Sequence, residues 1–235
     1  MKYDCVCDIG CVRTNNEDMA YAAGCLVRDG KRSDVCEPIC AFAVADGMGG
    51  YEGGEIASEI VARSFAAFMK NFNPAEDTEA ISGLKEWAAQ ANRLVTDTAA
   101  IRTDLSEMGT TFTGMVFLSD KAWLINVGDS RCYRLRNGVL KQLSVDHSER
   151  ERTCNPDVPS NLIYNFMGNL PEEFISDITE LNPIPGDTYM LCSDGLSDLV
   201  DDDAIEENCS DASKLIELAK EAGGWDNITV ITIQI

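Results

Sequence analysis

Six acidic residues stand where apolar runs meet turns, and their placement is what in this sequence could do chemistry. Three times an apolar run leads into an aspartate beside a glycine: Ala45-Asp46-Gly47, Val127-Gly128-Asp129 and Cys192-Ser193-Asp194-Gly195. Asp226 comes just before the apolar run 228–235, and Glu17-Asp18 precede the run that starts at Met19. In an antiparallel sheet the end of one strand and the start of its neighbour lie at the same edge, so these acids are expected to meet there. A single Asp-Gly is ordinary turn chemistry. Four strand-edge aspartates with repeated glycine neighbours are hard to read as turns alone.

Carboxylates gathered at one edge raise each other's pKa unless cations neutralise them. An all-oxygen set with no nearby Cys or His suits hard ions such as Mg²⁺ and Mn²⁺ and disfavours Zn²⁺. Two ions bridged by one carboxylate would share a water, lower its pKa and aim it at phosphorus, with no serine or cysteine nucleophile. Glycines beside Asp46 and Asp194 let backbone approach such ions, and a carbonyl can serve as a ligand.

The elements that must carry these acids are legible as patterns. Apolar, strand-like runs are expected at 3–9, 19–27 and 38–45, the last buried on both faces and ending at Asp46-Gly47-Met48-Gly49-Gly50. Two amphipathic helices follow, one with its stripe from Ala57 to Phe72 and one from Ile81 to Ile101, broken at Asn73-Pro74. A meander comes next at 111–118, 122–127, 131–136 and 139–143, with Asn137-Gly138 as a hairpin turn. After a polar, irregular stretch from Asp146 to Asn169, strands are expected at 174–181, 188–192 and 228–235, with a helix at 212–222 stopped by Gly223-Gly224. Many antiparallel strands with helices between them predict an α+β, helix-covered β-sandwich.

With 40 acidic against 19 basic residues the formal charge is −21, which makes nucleic acid and anionic membrane surfaces poor partners. Hydrophobic residues at 45% and charged ones at 25% fit a globular protein. No apolar stretch is long enough to span a bilayer and the first residues do not read as a secretion signal, so a cytoplasmic protein with reduced thiols is expected. The ten cysteines include no CxxC pair; Cys25, Cys40, Cys132 and Cys192 lie in apolar runs and read as small hydrophobes.

In order along nearly the whole chain, six segments resemble the motifs of the protein phosphatase 2C family, the metal-dependent Ser/Thr phosphatases, in its bacterial form. They are Arg13-Thr14-Asn15-Asn16-Glu17-Asp18, Val44-Ala45-Asp46-Gly47-Met48-Gly49-Gly50, Met108-Gly109-Thr110-Thr111, Asn126-Val127-Gly128-Asp129-Ser130-Arg131, Ser193-Asp194-Gly195-Leu196 and Asp226-Asn227-Ile228-Thr229. The resemblance implies one domain over 1–235, a four-layer αββα sandwich with pairs of helices flanking two sheets, and a binuclear metal centre at one edge. It implies two Mn²⁺ or Mg²⁺ ions and a weaker third. Asp46 would bridge the ions with the Gly47 carbonyl beside it, Asp194 and Asp226 would complete one, Glu17 or Asp18 would support the other, and Asp129 would help hold the third. Arg13 would clamp the substrate phosphate, against the plainer reading of a surface ion pair.

The implied activity is hydrolysis of phosphoserine and phosphothreonine in proteins, in opposition to a cytosolic Ser/Thr kinase, by a monomer. The alternative is a catalytically silent member acting as a regulatory binding module. Two departures stand out. Met48 occupies a position where many eukaryotic members carry a histidine that protonates the leaving group, and the flap segment at 148–168 is shorter than in typical bacterial members. The only histidine, His147, reads as structural.

Overall fold

The structure, a computed structural model, describes residues 1–49 and 53–235. Strands β1 (Lys2–Asp8), β2 (Met19–Ala22), β3 (Cys25–Val27), β4 (Gly30–Val35), β5 (Cys40–Ala45) and β6 (Gly47–Met48) come first, followed by helices α1 (Gly53–Met69) and α2 (Asp77–Ile101). Then come β7 (Gly109–Thr110), β8 (Phe112–Leu118), β9 (Lys121–Val127), β10 (Arg131–Arg136) and β11 (Val139–Gln142), and the short helix α3 (Glu149–Thr153). The chain closes with β12 (Asp177–Leu181), β13 (Thr188–Cys192), helices α4 (Asp194–Ser197), α5 (Asp202–Asn208) and α6 (Ala212–Glu221), and β14 (Ile228–Gln234).

Two six-stranded antiparallel sheets result, ordered β11-β10-β13-β14-β1-β4 and β12-β9-β8-β5-β2-β3. Alternation along the strands builds the layers. On β5, Phe42 and Val44 point between the sheets, where they join Tyr3, Cys5, Met115, Leu191 and Ile231. Ala41, Ala43 and Ala45 of the same strand face outward and are covered by Val61 and Phe65 of α1 and Leu84, Trp87 and Val95 of α2. The other sheet's outer face, Tyr133, Met190 and Val230, is covered by Ile205 of α5 and Leu215 and Ala219 of α6. The three apolar layers therefore give the expected αββα sandwich. Phe65 sits in edge and tilted contacts with Tyr21, Trp87 and Phe112 at centroid distances of 4.8–5.4 Å, which ties α1 to α2 and to the sheet beneath.

Several details differ from the sequence reading. The run 19–27 is two strands, because Ala23 and Gly24 take φ of 44° and 96° and close a two-residue hairpin with Ala22 opposite Cys25. β4 carries no apolar alternation; it is an edge strand exposed along its whole length and held by pairing with β1. The polar stretch after Asp146 contains α3, whose Ser148 cap accepts from the Glu151 amide at 3.2 Å. Of the cysteines, Cys132 and Cys192 are buried as expected, but Cys25 and Cys40 are only partly so, while Cys5, Cys7 and Cys209 are buried instead.

Candidate metal and phosphate site

The acids meet because the register places them together. Met19, which follows Asp18, pairs with Ala45, which precedes Asp46. Cys192, two residues before Asp194, pairs with Val230, four after Asp226. All of these chain ends open on one cleft of about 270 Å³, walled by Arg13, Glu17, Asp46, Gly47, Asp129, Asp194 and Asp226. Asp18 is buried behind that wall. Gly50, the last residue of the Asp46 segment, lies outside the described residues.

Backbone and neutral side-chain hydrogen bonds set the loops that carry the acids. The Asp46 amide donates to Thr111 Oγ1 at 3.0 Å, and its carbonyl accepts from the Thr111 amide and the Thr110 hydroxyl at 2.9 and 2.8 Å. Asn227 fastens the N-terminal loop to the Asp226 loop: its Oδ1 accepts from the Glu17 amide at 2.8 Å, and its Nδ2 donates to the carbonyls of Asn15 and Ile9. Ser193 accepts from the Thr229 amide and donates to Asp18 Oδ2 at 2.8 Å. Two glycines are needed for close approach. A Cβ on Gly47 would fall 2.1 Å from the Gly54 carbonyl oxygen, and one on Gly195 would fall 2.0 Å from that of Asn227.

Asp129 follows Gly128, whose φ of 103° is in the left-handed region. That glycine is fixed by His147: the Gly128 amide donates to Nδ1 at 3.1 Å, and the His147 amide donates back to the Gly128 carbonyl at 2.9 Å. Nδ1 also faces Asn165 Nδ2 at 2.7 Å and Nε2 faces Asp177 at 3.1 Å. With Nδ1 accepting, Nε2 carries the proton and donates to the carboxylate. His147 is thus a buried, fully engaged brace of the Asp129 turn.

The electrostatics are those of an uncompensated acid cluster. Burial, and then the neighbouring aspartates, push Asp194 up to about 6, Asp18 to about 7 and Asp129 to about 8, and hold Asp46 well above the carboxylate range. Burial also raises Glu17. Asp18 Oδ1 is buried with no hydrogen-bond partner among the described residues. An orphaned buried carboxylate oxygen behind a wall of hard oxygen donors fits a divalent cation. Among the described residues no three of these side chains already form a coordination shell, so what the fold supplies is a shared cleft.

Arg13, at the mouth of the cleft, donates from Nη2 to Asp226 Oδ2 at 2.7 Å, which is the ion-pair alternative in the sequence reading. Asn161 and Ile163, from the flap segment, also line the cleft, and nothing in their local sequence singles either out. Nor did it single out Asn227, Ser193 or Thr111 as supports, since their roles depend on contacts distant along the chain.

A profile of the family described as Protein phosphatase 2C matches residues 22–221. The serine/threonine protein phosphatase PstP of Mycobacterium tuberculosis is 33% identical over 251 residues, which cover all of this chain and 45% of that protein. The chain thus spans about half the length of these mycobacterial relatives. The serine/threonine phosphatase stp of Listeria innocua is 31% identical over 247 residues, covering 97% of this chain and 93% of that one. The crystal structure of the catalytic domain of PstP in complex with two manganese ions superposes with a TM-score of 0.81 at 32% identity, covering 99% of this chain and 98% of that one.

Proposed function

The chain belongs to the protein phosphatase 2C family, and from that membership we propose that it is a metal-dependent protein serine/threonine phosphatase. The observation that carries this reading is the convergence of Asp46, Asp129, Asp194, Asp226 and Glu17 on one cleft with Arg13 at its mouth. Asp46 with the Gly47 carbonyl, Asp194 and Asp226 would hold two Mn²⁺ or Mg²⁺ ions, supported by Glu17 and Asp18, and Asp129 would contribute to a weaker third. Bound there, the ions supply Lewis acidity and a nucleophilic water at neutral pH.

The chain's own residues do the rest. Arg13 exchanges Asp226 for the phosphate oxygens of the substrate, its planar fork matching two of them. Thr110 and Thr111 fix both backbone groups of Asp46, so its carboxylate is set before substrate arrives. Met48 offers no proton, so the leaving serine or threonine oxygen takes its proton from water or from another group at the cleft. The short flap at 148–168 brings Asn161 and Ile163 over the cleft and would contact the residues around the phosphoamino acid.

The domain is read as 1–235, monomeric and cytoplasmic, opposing a Ser/Thr kinase of the same cell. Among the described residues no helix is long and apolar enough to cross a membrane. The test is hydrolysis of a phosphothreonine peptide and of p-nitrophenyl phosphate with Mn²⁺ and with EDTA, for the wild type and Asp194→Asn. Turnover that requires the metal and is lost in the variant is expected. Absence of turnover by wild-type protein that binds Mn²⁺ would instead make it a silent binding module.

A further inference from the structure

Ten free thiols are distributed over the chain, and two of them meet outside the buried core. Cys36 Sγ and Cys40 Sγ lie 3.4 Å apart. Between them runs Glu37-Pro38-Ile39, where the chain leaves the exposed edge strand β4, bends, and enters β5. Pro38 fixes its own φ and restricts Glu37 to extended backbone, so this turn has little freedom to carry the sulfurs apart. At one side Cys36 is tied down, its amide donating to the Met1 carbonyl at 3.0 Å. At the other, Cys40 is locked in register opposite Phe117.

The pair is also reachable. Both cysteines wall a cleft of about 440 Å³ that includes Tyr3, Tyr21 and Arg32. By contrast, Cys5 and Cys7 are neighbours on one face of β1 but are buried at 0% and 2% exposure, out of reach of a solute. Cys132, Cys192 and Cys209 are buried too.

We infer that Cys36 and Cys40 are a reversible disulfide-forming modification site, closed by small hydroperoxides and reopened by thiols. The Cys36 sulfur attacks the peroxide oxygen, the O–O bond breaks, and an alcohol or water leaves with the proton. The Cys40 thiol then attacks the Cys36 sulfenic sulfur: the S–S bond forms, the S–O bond breaks, and water leaves with the Cys40 proton. Two thiols lose two electrons and two protons, and the peroxide takes up both. Burial and the Cys36 thiol hold Cys40 well above the ordinary thiol range, so Cys40 is not the sulfur that attacks the peroxide first. The site stands apart from the phosphatase reading. β5 runs from Cys40 to Ala45, which puts the pair about 20 Å along the strand from Asp46.

The experiment treats the full chain with a small excess of hydrogen peroxide, blocks remaining thiols with iodoacetamide, and maps the peptides by mass. A loss of about 2 Da confined to the 36–40 segment is expected, with alkylation of both cysteines falling at least about tenfold and returning after dithiothreitol. Cys40→Ser should stop at a Cys36 sulfenic acid that dimedone traps, and Cys36→Ser should lose the product altogether. Both cysteines remaining fully alkylatable while other residues oxidise would overturn the inference. So would a linkage that joins either of them to Cys25, which shares their surroundings near Tyr3 and Tyr21.

Discussion

Strand β13 carries an aspartate just outside each end, and the two have opposite fates. Asp187, before Thr188, is buried and receives Arg136 through Nε and Nη2, both at 2.6 Å, along with the Ile184 amide and the Tyr189 hydroxyl. Burial alone would raise its carboxyl, but Arg136 and the amide hold it below the ordinary range. Asp194, after Cys192, is raised to about 6 by burial and by Asp226. The difference between them is the partner. One end of the sandwich neutralises its buried acid with a fixed arginine; the other gathers acids whose compensation must come from an added cation.

Breaking each end should give opposite losses. Asp194→Asn is expected to lower metal-dependent turnover at least about 100-fold, by analogy with the sensitivity of metal sites to their ligands. Its metal-free unfolding midpoint should stay level or rise, because an uncompensated carboxylate is gone. Asp187→Asn is expected to cost about 2–3 kcal/mol in urea unfolding, since the buried carboxylate that receives Arg136, the Ile184 amide and the Tyr189 hydroxyl is lost. Turnover per folded molecule should be nearly unchanged. A fall in turnover of the Asp187 variant comparable to that of Asp194→Asn would erase the distinction.

The pH dependence of stability sharpens the same contrast. For Asp18, Asp129 and Asp194 the folded pKa lies above the unfolded value of about 3.9, so folded protein binds more protons between those limits. Their contribution is fully present below about pH 3.9 and is lost as the pH rises through about 6 to 8. Metal-free protein should therefore become more stable from pH 8 down to about 5. Asp187 has the opposite sign: its stabilisation is present above about 3.9 and is lost as the pH falls through its lowered pKa. With saturating Mn²⁺ the acidic end should reverse, because protons then compete with the cation. Thermal midpoints across pH 4–8, with EDTA and with Mn²⁺, decide this.

The smallest effect should come from Ser193→Ala. Asp18 keeps its orphaned Oδ1 and loses the donor at Oδ2, so a cost of about 1 kcal/mol is expected with a few-fold weaker Mn²⁺ affinity by calorimetry. No change in affinity would show that Asp18 plays no part in the metal site.

The sequence by itself determined which residues could bind cations, the strands and helices with strong periodicity, and the layered class of the fold. Asp46, Asp129, Asp194 and Asp226 were visible because each abuts an apolar run, and α1 and α2 because their apolar stripes repeat at the helical period. β4 was invisible, because pairing to β1 and not burial makes it a strand. Only the tertiary structure decided that Asp187 is neutralised and Asp194 is not, since Arg136 lies 51 residues from the first in sequence and reaches it across adjacent strands. It likewise decided that Asn227, 210 residues from Glu17, ties that loop to the cleft. Local composition can announce an acid at a strand end; which charge stands opposite it is set by register and packing, which the chain acquires only when it folds.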